Sequence, residues 1–147
     1  MRNIMTTLKS VVILGLMFVL TNCDTGRTPS KIRLEENCQV KLPSDYKVLK
    51  DEYQDMWQDY CVLYDIELSV NASRELTDNI RSSKFYNPNV RHQGIWLDNY
   101  YVQVDSSKAV WCKSNKGYDF RREVGHTNYS ITLDTLTRIL NYQECAD

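Results

Sequence analysis

Tyr60, Val62, Tyr64, Ile66 and Leu68 alternate with Cys61, Leu63, Asp65 and Glu67. Side chains along a strand point alternately to its two faces, so this period-two run of β-branched and aromatic residues predicts a strand with one face in a core. The stretch before it, Tyr46–Tyr60, is ambiguous. Leu49, Tyr53, Trp57 and Tyr60 recur at helical spacing. The expectation is nevertheless a second strand that turns near Asp55-Met56 and pairs with the first.

The rest of the chain supplies one helix and several short strands. Asn71 or Ser73 can cap a helix of about residues 72–83, with Leu76 and Ile80 on its buried face. Asn87-Pro88-Asn89 and Gln93-Gly94 read as loop. Strands are expected at Ile95–Leu97, Tyr100–Val104, Ala109–Lys113, Tyr118–Glu123, Tyr129–Leu133 and Arg138–Gln143. Ser114-Asn115-Lys116-Gly117 reads as a hairpin loop in which Gly117 takes a positive φ, and Asp134–Thr137 as the last turn. Together these elements predict an α+β fold: a mostly antiparallel, meandering sheet with one main helix.

The 147 residues suffice for one domain and are few for two. All ten tyrosines and three tryptophans lie after Cys23. They can build a core, and the same side chains would suit a binding surface. The formal net charge is −1, and Arg2 and Lys9 are the charged residues of the first 22, which leaves −3 for the remainder. That balance argues against nucleic acid, whose backbone calls for a clustered basic surface.

The N-terminus carries an address. Behind Arg2 and Lys9, the run Val11–Leu20 has no polar side chain. It is too short to span a bilayer comfortably and fits the apolar core of a secretory signal. The run stops at Leu20-Thr21-Asn22-Cys23. This tetrapeptide resembles a lipobox, the site at which bacterial lipoproteins are lipidated on cysteine and cleaved, with Asn22 standing where Gly, Ala or Ser is usual. The resemblance implies a signal peptide over 1–22, diacylglycerol on Cys23 and an extracytoplasmic, lipid-anchored location in the bacterial envelope. Anchoring of that kind is stable because it uses two or more acyl chains. A plain signal peptide and an uncleaved N-terminal helix are the alternatives. Residues 23–37 then read as the lipidated cysteine and a polar, flexible tether, and 38–147 as the single domain.

The domain also loosely resembles small uncharacterised bacterial lipoproteins. The likeness lies in its tyrosine-rich first hairpin, Glu52-Tyr53-Gln54-Asp55-Met56-Trp57-Gln58-Asp59-Tyr60, and its late Lys116-Gly117-Tyr118-Asp119-Phe120 hairpin. It speaks to fold class and carries no activity.

Removing Cys23 leaves Cys38, Cys61, Cys112 and Cys145, an even set in an exported chain. Two disulfides are the simplest account. Zinc is the rival, but no two cysteines are closely spaced as zinc ligands usually are. Four cysteines allow three pairings, of which Cys38–Cys145 with Cys61–Cys112 is preferred because it ties the domain ends together and joins two strands.

Three constellations bear on chemistry. Asp51, Glu52, Asp55 and Asp59 offer oxygen ligands or an acid–base pair, but lack the calcium-loop pattern and read as a solvated face. His92 and His126 are isolated in sequence, and a hydrolase using His126 with Asp119 or Glu123 is the least favoured reading. Trp96, Tyr100, Tyr101 and Trp111 form a possible binding surface for a protein or glycan. No metal or cofactor site is expected. The function anticipated is therefore a non-enzymatic, membrane-anchored binding or accessory domain. The alternative is an inhibitor or immunity-type protein acting on an envelope or secreted enzyme through the acidic hairpin.

Overall fold

A computed structural model describes residues 27–92 and 109–146. Among them are two helices, α1 (Ser30–Cys38) and α2 (Val70–Ser82), and seven strands: β1 (Tyr46–Met56), β2 (Asp59–Leu68), β3 (Tyr86–His92), β4 (Val110–Ser114), β5 (Gly117–Val124), β6 (Thr127–Asp134) and β7 (Ile139–Ala146). The strands form one sheet in the order β1-β2-β7-β6-β5-β4-β3. All neighbours are antiparallel except β3 and β4, so the sheet is mixed. The expected strands at Ile95–Leu97 and Tyr100–Val104 lie outside the described residues.

The alternation that predicted β2 is realised. Val62, Tyr64, Ile66 and Leu68 are buried, and their register partners Tyr142 and Leu140 on β7 extend the same face. Ile131 and Leu133 of β6, Tyr118 and Phe120 of β5 and Trp111 of β4 complete it. Leu34 and Cys38 of α1 and Ala72, Leu76 and Ile80 of α2 pack into the same core, so both helices cover one face. The opposite face is polar, with Asn141, Gln143, Thr132 and Arg121 exposed. The first hairpin forms as expected from the strand reading, with a bulge between Val48 and Lys50.

Several expectations are corrected. The stretch read as tether becomes helix α1 from Ser30 onward. Its buried stripe is Ser30, Leu34 and Cys38 at four-residue spacing, too thinly apolar to stand out among Lys31, Arg33, Glu35 and Glu36. Helix α2 is capped by Ser69, whose Oγ accepts from the Ala72 amide at 3.2 Å, rather than by Asn71 or Ser73. Asn87-Pro88-Asn89 belongs to strand β3, which lies at the sheet edge, where proline removes no ladder bond. Gly117 does not take a positive φ, which among the described glycines belongs to Gly125. Its role is close approach, since a Cβ there would collide with the Leu133 carbonyl oxygen.

The cysteine pairing is also different. Cys61 and Cys145 face each other across β2 and β7 and form a disulfide, with Cα atoms 4.2 Å apart. This overturns both Cys38–Cys145 and Cys61–Cys112. Direct opposition in the ladder decides the pairing, and a spacing argument in sequence does not contain that register. Cys38 and Cys112 are buried thiols.

Candidate functional sites

Two arrangements carry concentrated charge, and they lie at opposite ends of the sheet. The first is built on Glu144 of β7. Its position continues the inward-facing series Leu140, Tyr142, Glu144, so the pleat places a carboxylate in the core, 2% exposed. Such a group must be paired. Arg33 of α1 meets Oε1 through Nη1 at 2.7 Å, Tyr60 donates to Oε1 at 2.7 Å, and Tyr142 donates to Oε2 at 2.8 Å. Asn37 Nδ2 donates to the Tyr142 hydroxyl at 3.4 Å, and Arg122 Nη1 donates to the Asn37 carbonyl at 3.1 Å.

The titration of the cluster follows from this packing. Burial, then the neighbouring Glu144, raises the Tyr60 phenol above its ordinary value. Tyr142 and Tyr129 are raised as well, burial being the largest cause for both. Burial works against the charge of Arg33, but Glu144 and Tyr60 together outweigh it and leave the guanidinium above its usual range. Both oxygens of Glu144 are thus occupied by donors beneath α1. The arrangement fastens the helix to the sheet.

The second arrangement is an open groove of about 810 Å³ between α2, the β4–β5 turn and the β6–β7 turn. Arg74, Arg81, Lys113, Lys116 and Arg138 line it, and Asp78 is the acid among the described lining residues. Arg74 and Arg81 project from α2 seven residues apart, two turns along one face. Arg81 is held by a 2.6 Å bond from its Nε to the Tyr118 hydroxyl. Arg138 donates from Nε to the Leu68 carbonyl at 3.2 Å and sits at φ 60°. The Lys116 carbonyl accepts from the Thr135 amide at 2.9 Å and from its hydroxyl at 3.0 Å, which ties the two turns together. Five cations on one concave surface favour an anion such as a carboxylate, sulfate or phosphate group.

The residues singled out from the sequence are dispersed. Asp51, Glu52 and Asp55 are exposed along the first hairpin and Asp59 is half-buried. Asp51 accepts from Ser30 Oγ at 2.6 Å, and Glu52 pairs with Lys50 at 3.3 Å. No set of three potential metal ligands gathers among the described residues. His126 is exposed at the β5–β6 turn. Asp119 lies five residues back from the end of β5, about 16 Å along the strand, so the two do not meet. His92 ends β3. Trp111 is corrected from binding surface to core. It is fully buried, packs on Phe120 with ring centroids 5.1 Å apart, and donates to the Cys38 carbonyl at 3.3 Å. Trp96, Tyr100, Tyr101 and Cys23 lie outside the described residues.

Sequence reasoning missed both charged sites. Glu144 had a usable signal, being an acid at the inward parity of an alternating strand. The groove had none, because its cations come from three separate segments. Comparison with protein-family models, curated proteins and solved structures finds no match to this chain.

Proposed function

We propose that the protein is a lipid-anchored accessory protein of the bacterial envelope, held by lipid on Cys23, whose domain binds an anionic partner without transforming it. The observation that carries the binding half is the gathering of Arg74, Arg81, Lys113, Lys116 and Arg138 around one groove in a chain of net charge −1. The anchoring half is supported by the Val11–Leu20 run ending at Leu20-Thr21-Asn22-Cys23. The polarity of the sheet agrees with both. Gly117, Asp134, Ile139 and Glu67 share one end of the ladder with the groove, and Val124, Thr127, Ala146 and Tyr60 share the other. Arg27, the first described residue after the lipobox, stacks at that other end, over Tyr53 at 4.0 Å. A partner is therefore met on the side away from the anchor.

The test has two arms. Mass spectrometry of the protein from the membrane fraction should find residues 1–22 removed and Cys23 acylated. An unmodified Cys23 removes the anchor. Calorimetric titration of the full-length protein with a glutamate-rich peptide and with a sulfated oligosaccharide should show binding that weakens as salt is raised. The double variant Lys113→Glu, Lys116→Glu should abolish it. Unchanged binding in that variant removes the groove.

An inhibitor reading draws on the exposed acids of the β1–β2 hairpin, with fully exposed Trp57 at its tip. One stoichiometric enzyme captured from envelope extract by the full-length protein, and lost in a hairpin variant, favours it over the groove.

A further inference from the structure

The β1–β2 hairpin ends in two exposed apolar side chains. Met56 is 48% exposed and Trp57 101% exposed. Trp57 is the middle residue of the turn, with the Gln58 amide donating to the Met56 carbonyl at 3.0 Å. Its φ of 73° lies in the region where glycine fits and bulky residues are strained. A tryptophan thus stands, fully exposed, where the backbone favours its absence. Strain held at an exposed side chain points to a role for that side chain.

The chain before the domain leads to the same end of the sheet. Arg27 stacks over Tyr53 at 4.0 Å, and Tyr53 stacks on Tyr60 with centroids 5.6 Å apart. Arg33 lies over the far ring, 5.9 Å from the Tyr60 centroid. Only Asp24, Thr25 and Gly26 separate Cys23 from Arg27, a span of at most about 14 Å. From Tyr53 to Trp57 the strand advances about 13 Å. A lipidated Cys23 and the hairpin tip can therefore reach one plane, whereas a long tether would have left the tip's distance from the membrane undefined. Val124, at the neighbouring β5–β6 turn, is another exposed apolar residue at this end.

We propose that the Met56–Trp57 tip is a second membrane contact, seated in the bilayer interface beside the lipid on Cys23. This rests on the lipoprotein reading given above. An indole has an apolar body and a polar N–H, and settles at that depth. Asp55 and Asp59 flank the tip, so the contact favours zwitterionic over anionic lipid. With both ends of the contact in the membrane, the strands stand along the bilayer normal, and the basic groove is held about 30 Å out, the length of β2.

The full-length protein, purified from its native membrane and reconstituted into phosphatidylcholine vesicles, provides the test. Vesicles made with brominated phosphatidylcholine should quench part of the tryptophan emission. Trp57→Phe should lose that quenchable part, and added phosphatidylglycerol should reduce it. The same samples are analysed for acylation by mass spectrometry. Cys23 acylated with Trp57 unquenched removes the contact and keeps the anchor. Quenching with a bare Cys23 keeps the contact and removes the anchor. Trp57 open to aqueous iodide on vesicles, and shielded only when an envelope protein is added, overturns the contact in favour of a protein-docking tip.

Discussion

Arg33 and Glu144 are 111 residues apart in the chain and 2.7 Å apart in the fold. Their pairing joins the first described helix to the last strand, and it explains why α1 is part of the domain rather than a polar leader. Glu144 is nearly inaccessible, with 3% of its side chain exposed, and Arg33 is 23% exposed. Removing Arg33 leaves Glu144 with its two tyrosine donors but no opposite charge. Arg33→Met should destabilise the fold by about 3 kcal/mol in urea denaturation, because the carboxylate stays buried. The double variant Arg33→Met, Glu144→Met should recover much of that loss. Additive losses would mean that the two residues are not coupled.

Tyr60, Tyr64, Tyr129 and Tyr142 all hold their protons more tightly in the folded chain than the ordinary phenol value of 10, with burial the largest cause for each. The sign follows from linkage. Below about pH 10 the phenols are protonated in both states, and the stability tied to them is intact. Above it the unfolded chain releases protons that the folded chain retains, so stability is lost as the pH climbs toward the folded values. The melting temperature should hold to about pH 9 and fall steeply beyond pH 10. Tyr142→Phe should flatten the fall. A melting curve unchanged between pH 8 and pH 11 would contradict this account.

Much of the sheet could be read from the sequence, because a period of two is written directly in Tyr60–Leu68 and in the later strands. Helix α2 was legible through Leu76 and Ile80. Helix α1 was not, since its dry stripe contains a serine and a cysteine and its remaining positions carry the charges of a linker. The bond between Cys61 and Cys145 was invisible for a different reason. Both were identified as candidates, but only the order of strands in the sheet, with β7 inserted beside β2, sets one against the other. Trp111 reads as core or as surface, with core ahead, until Phe120 and Cys38 are placed around it. The groove required three segments to converge, and no local pattern announces that.

The four described cysteines divide into two chemical kinds. The Cys61–Cys145 bond closes a loop of 84 residues, which in the chain-entropy model contributes about 4.5 kcal/mol. Cys61→Ser should therefore lower the unfolding free energy by about that figure, read as a lower denaturation midpoint. Cys38 is wholly buried, and its thiol is pushed well above the ordinary range by burial. Alkylation with iodoacetamide under native, non-reducing conditions should spare Cys38 and Cys112, and both should react in denaturant. Peptide mapping that recovers Cys61 linked to any partner except Cys145 would refute the register of β2 against β7.

Trp57 sets stability against contact. At φ 73° a β-carbon is unfavourable, and glycine is not penalised. The indole is fully exposed and gains little from packing. Trp57→Gly should therefore stabilise the protein in detergent by about 0.5–1 kcal/mol, read as a rise in melting temperature. Met56, which remains at the tip, should not compensate on vesicles: under the lipidation proposed for Cys23, the same variant should be released more readily once the acyl chains are removed. A neutral or destabilising effect in detergent would show that the turn relies on the indole for its own structure. The exposure of Trp57 would then belong to the hairpin rather than to a surface outside it.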